Sequence, residues 1–311
     1  MSTAALEDDA PRRRDDLVLV TTPAMRARRH PFAIAALWAW QTAMALLVAW
    51  PARGLVQAAY GNDPRGDAAL WAPGGHALLD WLWRDAHGLR SVVGSAEIAL
   101  GAAAVLGLVP MAAVMIAIAH TRRERLEGRW SAAVVEIAAG ALRAFPAMAL
   151  LLVVVTIAQG VVVATGLALA SAVESAARVG MGEARAQQLE GVVAIASFAA
   201  VSVLGVVHDL ARAAVVRFRV RGFRALLLGA RTFRLAPLTL WWSWAWRAAA
   251  ALAPILVGAA LASRAGGRGG FVLLVLAAVH QAVVVARAAL HASWWAKALR
   301  SVDASLRRAI A

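Results

Sequence analysis

The chain has 311 residues, 61% of them hydrophobic, with a mean hydropathy of +0.67 and a formal net charge of +14. Apolar runs of about 20 residues or more exceed what a soluble domain of this size buries and match bilayer spans, which sets a soluble globular class aside. The arginines lie between these runs and do not coat the face of a domain, which points to lipid phosphate and away from nucleic acid; the absence of cysteine excludes disulfides, thiolate metal sites and cysteine nucleophiles.

Residues 1 to 25 contain Glu7-Asp8-Asp9 and Arg12-Arg13-Arg14, and read as a disordered cytosolic tail. The first apolar run begins at Phe32 and is followed by no small-residue cleavage pattern, so a cleaved signal peptide is not expected. Ahead of it stands Arg28-Arg29-His30-Pro31, the first of three Arg-x-x-Pro thresholds. Proline fixes φ and lacks an N–H, which suits the first helical position, while arginine can hold its guanidinium among headgroups.

Six spans are predicted, over 32–50, 92–119, 147–171, 191–216, 238–263 and 270–290. Helix is the expected form, because lipid-exposed backbone must satisfy its own polar groups. The expected fold is therefore all-α: a polytopic membrane domain over 26–300 with six transmembrane helices arranged as three hairpins, amphipathic interfacial helices, and a cytosolic end over 301–311.

Between the first two spans, Asn62-Asp63-Pro64-Arg65-Gly66 marks a turn, and Leu78, Leu79, Leu82, Trp83, Ala86 and Leu89 predict a helix on the outer leaflet, as an anchor or a lid. In the second connection Leu126, Trp130, Val134, Ile137 and Leu142 recur at helical spacing among Arg122, Arg125, Arg129 and Glu136. In the fourth, Phe223, Leu226, Leu227, Ala230 and Phe233 form a stripe beside Arg217, Arg221, Arg224 and Arg231. Both read as amphipathic helices in the inner headgroup layer, closed by Arg143 and Arg234 before Pro146 and Pro237 open the next spans. Arg28, Arg143 and Arg234 are thus the expected lipid-contacting residues. The tail, the second and fourth connections (counting Arg212 with the fourth) and the C-terminal end carry 22 Lys and Arg, against 8 in the other three connections. Both termini are expected in the cytosol.

An internal repeat aligns Trp38-Ala39-Trp40-Gln41-Thr42-Ala43-Met44-Ala45-Leu46 with Trp244-Ala245-Trp246-Arg247-Ala248-Ala249-Ala250-Ala251-Leu252, six of nine positions being identical. The copies run in the same direction.

Ionisable groups inside spans cost about 2.5–3.5 kcal/mol each at a helix centre, so Glu97, Asp209, Arg212, Arg247, His280 and Arg287 are singled out. Asp209 and Arg287 are placed at similar depth and form a candidate interhelix pair, with Arg212, one turn on, as the competing local partner. Arg247 and His280, each 10 residues into a span, fall near the midplane and with Gln281 make a candidate polar site. The alternative places Arg247 in an inner-interface belt with Trp241, Trp242, Trp244 and Trp246. Glu97 and Gln159 are placed at similar depth, and a hydrogen bond between helices is the expected role there. Pro110 and Pro254 are expected to kink their spans.

Enzyme signatures such as His-Glu-x-x-His, Gly-x-Ser-x-Gly and Gly-x-x-x-x-Gly-Lys are absent from the sequence. No catalytic residue, metal site or cofactor is expected.

Through Arg29-His30-Pro31 and Asp209-Leu210-Ala211-Arg212, over roughly residues 25 to 300, the chain resembles poorly characterised bacterial polytopic membrane proteins related to the membrane domain associated with glycerophosphodiester phosphodiesterases. The resemblance implies a bacterial cytoplasmic (inner) membrane module without an assigned reaction; the phosphodiesterase domain itself is not present. The expected function is a membrane-embedded partner or lipid-contacting scaffold in an envelope process, with anionic lipids and an unidentified membrane protein as partners. The alternative is a small permease or exporter for an anionic solute or lipid, working through Arg247 and His280.

Overall fold

The computed structural model describes residues 17–19, 25–62, 86–122, 130–265 and 271–310. These residues form eight α-helices: α1 (Pro31–Tyr60), α2 (Ala86–Leu106), α3 (Leu108–Ala119), α4 (Trp130–Met181), α5 (Glu183–Phe218), α6 (Phe223–Leu235), α7 (Pro237–Ala265) and α8 (Phe271–Ile310). A 3-10 turn over Ala27–Arg29 precedes α1. One short antiparallel ribbon joins β1 (Leu17–Leu19) to β2 (His120–Arg122), so part of the segment expected to be disordered is paired. The rest of residues 1–24, and the expected outer helix as far as residue 85, lie outside the described residues.

Five helices among the described residues are long and apolar enough to cross a membrane: Pro31–Trp50, Glu97–Ala119, Val134–Arg178, Glu183–Phe218 and Leu274–Arg307. This is the make-up of a multi-pass membrane protein. Helix α7 has 29 residues, carries four tryptophans and Arg247 in its first half, and is not counted with the five. Helix α4, at 52 residues, is about 78 Å long and α8, at 40, about 60 Å, so both project well past a hydrocarbon core of about 30 Å.

The three thresholds behave differently. Pro31 and Pro237 each open a helix, the second just after α6 ends at Leu235. Pro146 lies inside α4, so Arg143 does not close a separate interfacial helix and the stripe from Trp130 to Leu142 is simply the first turns of α4. The Pro146 ring removes one backbone hydrogen bond, and the helix runs on through it with Ala141, Ala147, Met148 and Leu151 buried on either side. Near Pro110 the chain breaks at Gly107, between α2 and α3. A proline ring clashes with the carbonyl four residues back, here that of Leu106, where α2 stops.

The core is concentrated at one end of the bundle, the end that holds Met25 and the last turns of α8; it is called basal below, and the opposite end distal. Met115 and Ile118 of α3, Met148 and Leu151 of α4, Val206 and Leu210 of α5, and Leu299 and Val302 of α8 are buried together there with Met25. Toward the distal end large apolar side chains face outward, among them Leu46, Trp50, Ile98, Ile157, Phe198, Leu256 and Phe271. Patches of this extent are a liability in water and need no protein partner in lipid.

In helix α6 the expected stripe is divided, with Leu226, Ala230 and Phe233 half-buried. Its packed face is Ala225, Gly229 and Thr232, while Phe223 and Leu227 are 67% and 70% exposed. The small face lets α6 approach α5 so closely that a Cβ on Gly229 would lie 2.8 Å from Ala211 N and Val207 O.

Candidate functional site

The basal end is tied by polar contacts between elements far apart in sequence. Arg217 of α5, buried, donates from Nε to Asp303 Oδ1 of α8 at 3.0 Å and from Nη1 to the Ala119 carbonyl of α3 at 3.2 Å. Arg307, one turn beyond Asp303, donates to its other oxygen at 3.2 Å. Thr232 of α6 and Ser305 of α8 share a buried hydrogen bond of 2.8 Å. The Asp303 carboxylate thus pairs with both guanidiniums, and α3, α5, α6 and α8 meet around it.

A second layer lies about two to two and a half turns toward the distal end. Asp209 accepts from Arg212 Nη1 at 3.2 Å and from Trp294 Nε1 at 2.8 Å. The local partner occupies the carboxylate, and Arg287, the expected interhelix partner, is exposed. The indole of Trp294 supplies the link to α8 in its place. Trp241 of α7 donates to Ser202 of α5 at 2.7 Å, and Gln159 of α4 donates to the Val201 carbonyl at 3.2 Å, not to Glu97, which is exposed.

Helix α8 lies between α1 and α7. Gln281 Oε1 accepts from Trp38 Nε1 at 2.9 Å and from Thr42 Oγ1 at 3.4 Å on α1. Replacing Gln281 by Leu is expected to lower stability by only about 0.6–1.7 kcal/mol, the range found for hydrogen bonds between membrane helices; thermal unfolding in detergent checks this.

On the other side of α8, Arg247 of α7 is fully fixed. Its Nε donates to Ser293 Oγ at 2.8 Å, its Nη1 to both the carbonyl and the hydroxyl of Ser243 at 2.6 Å, and its guanidinium lies 4.5 Å from the Trp246 ring centroid. Its depth follows from α8. Trp38 stands 7 residues, about 10 Å, past the start of α1, and its partner Gln281 is separated from Ser293 by 12 residues, about 18 Å, in the basal direction. Ser293, and Arg247 with it, therefore lies at or below the level of Pro31, the first residue of α1. His280 is exposed and one residue from Gln281, more than three turns from Ser293. The structure thus does not bring Arg247 and His280 together; Arg247 lies instead beside exposed Trp242 and Trp246.

Arg247 instead shares a cleft of about 550 Å³ with Arg26, Arg28, Ser293, Ala296 and Arg300. Arg300 donates from Nη1 to the Met25 carbonyl, which pins the segment before α1 onto α8. An adjoining recess places Lys297 against Trp242, Ser243, Trp246 and Arg247. Among the described residues, no carboxylate forms an ion pair with Arg26, Arg28, Arg247, Lys297 or Arg300. Of the three expected lipid-contacting arginines, Arg28 lines this cleft. Arg143 lines a separate one of about 230 Å³ with Arg219 and Arg221, and Arg234 is exposed at the end of α6.

Sequence reasoning did not single out Arg26, Ser293 or Arg300. Two of them lie at the margins of predicted elements, and only the register of α8 against α7 gathers them with Arg247. Glu97, Asp209 and His280 do not converge: Glu97 is 22 residues from the basal end of α3, whereas Asp209 is in the second basal layer. No family of known proteins, no curated protein and no solved structure matches the chain.

Proposed function

We propose that this is a non-enzymatic, six-helix protein of the bacterial cytoplasmic (inner) membrane that acts as a lipid-contacting scaffold, with both termini and the basal end in the cytosol. In this reading α7 is the sixth span, entering from the interface through its tryptophan-rich first half. The observation that carries it is the set of basal cations without carboxylate partners, next to a distal half whose large side chains face outward as lipid-facing residues do. Anionic headgroups of the cytosolic leaflet are the natural counter-charge, each basic residue near such a surface contributing about 1 kcal/mol. An apolar recess of about 730 Å³ between α1, α3 and α4, lined by Phe32, Leu37, Pro110, Val114 and Ile137 at the same end, suits an acyl chain. The weak resemblance to membrane domains found beside glycerophosphodiester phosphodiesterases agrees with a role in an envelope process, through a membrane-protein partner.

Extraction in mild detergent followed by lipid mass spectrometry tests the proposal. Anionic lipids are expected to stay with the protein above their share of the membrane. Co-purified lipids that simply mirror bulk composition overturn the scaffold reading.

A further inference from the structure

We infer that the cleft formed by Arg26, Arg28, Arg247, Ser293 and Arg300 is a discrete binding site for a phosphate monoester. The inference rests on the lipid-contacting reading above and narrows it from a basic surface to one site and one chemistry.

Three elements supply the cleft: the segment before α1, the first half of α7, and α8. Four guanidiniums converge there, although like charges repel when drawn together without a counter-ion. Two of the four, Arg247 and Arg300, are held independently of any anion. Arg300 is anchored to the Met25 carbonyl, and Arg247 uses Nε and both Nη1 hydrogens on Ser293 and Ser243. That leaves Nη2 of Arg247 with no protein acceptor among the described residues, while stacking on Trp246 fixes the plane of the fork. Ser293 accepts from Arg247 through its oxygen, so its hydroxyl hydrogen remains as a donor toward the cleft. The floor between Arg247 and Arg300 is Ala296, 2% exposed, which leaves room above it. Donors fixed in advance lose little freedom on binding, and a planar guanidinium fork matches two phosphate oxygens.

The number of charges selects the ligand. A phosphodiester headgroup presents one negative charge and two non-bridging oxygens, which four guanidiniums exceed. A monoester presents three terminal oxygens and about −1.5 to −2 charges near pH 7. The same group occurs on a lipid, as phosphatidate, and on small soluble phosphates, and the cleft is open enough for either.

The test uses the full chain in nanodiscs of phosphatidylcholine doped with either phosphatidate or phosphatidylglycerol, with bound lipid read by native mass spectrometry. Phosphatidate is expected to be retained over phosphatidylglycerol by about tenfold or more, and Arg28→Gln and Arg247→Gln each to remove that preference. Arg28 is exposed, so its substitution keeps the test valid if Arg247→Gln fails to fold. Arg234→Gln, outside the cleft, is expected to leave it unchanged. Equal retention of the two lipids, insensitive to Arg28→Gln, overturns the monoester site while the scaffold reading stands; no retention of either anionic lipid overturns both. Competition by glycerol 3-phosphate at low millimolar concentration assigns the site to a soluble phosphate, and its failure to compete assigns it to the lipid headgroup, the shared chemistry being supported either way.

Discussion

Replacing Asp303 by Ala is expected to cost about 3–5 kcal/mol and to strip the packed end of most of its stability, because it leaves the Arg217 guanidinium buried without its carboxylate. Arg217 is 6% exposed, and water reaches it too poorly to replace what is lost. The penalty belongs to the buried charge that loses this carboxylate more than to the pair itself. The double replacement Arg217→Met with Asp303→Leu is therefore expected to recover much of the loss, since two apolar side chains fill the space with no charge to solvate. Thermal unfolding in detergent, with limited proteolysis of the α8 end as a local readout, measures both. A single variant that melts with the wild type shows that the pair is solvated and does not hold α5 to α8.

Gly229→Ala is expected to be the second most damaging change, by about 1–3 kcal/mol. The added methyl meets backbone atoms of α5, not a movable side chain, so α6 must shift as a body. The shift would stretch the Thr232–Ser305 bond that joins α6 to α8. A larger residue such as Leu is expected to release α6 altogether. Hydrogen exchange along α6 provides the measurement: faster exchange with unchanged exchange in the distal half of α4 is the expected pattern, and no change would mean that the α5–α6 crossing is looser than its geometry.

The spans were legible because lipid asks only for length and apolarity, both local properties; the five counted helices follow from them. Pro31 and Pro237 were legible as helix starts for the same reason, since their missing N–H needs no partner there. Pro146 was not, because whether a proline breaks a helix depends on how its flanks are packed, and Met148 and Leu151 are fixed by other elements. Asp209 shows the same division. Its partner Arg212, three residues away, was readable as the local competitor, whereas Trp294 was hidden in the rotation of α8. Arg217 read as one more headgroup-facing arginine because its carboxylate stands 86 positions away. For α6 the stripe of large apolar side chains was legible at helical spacing, whereas the small residues Ala225, Gly229 and Thr232, on which the helix packs, gave no such signal, because close approach depends on the neighbouring helix. Arg247 was misplaced against His280 because residue counts from Pro237 and Gly270 carry no information on the register of α7 against α8.

The central claim is that the basic, tightly packed end meets the cytosolic leaflet, and labelling of single cysteines in intact cells tests it most directly. The chain has no cysteine of its own, so each introduced thiol reports alone. Arg29→Cys marks the basal end, and Asn62→Cys and Met181→Cys mark the distal turns; all three positions are exposed. With a membrane-impermeant maleimide applied outside, the distal thiols are predicted to react in intact cells and the basal thiol only after permeabilisation. Labelling of Arg29→Cys from outside, with the distal thiols protected, would contradict the cytosolic placement and the lipid-contacting function built on it.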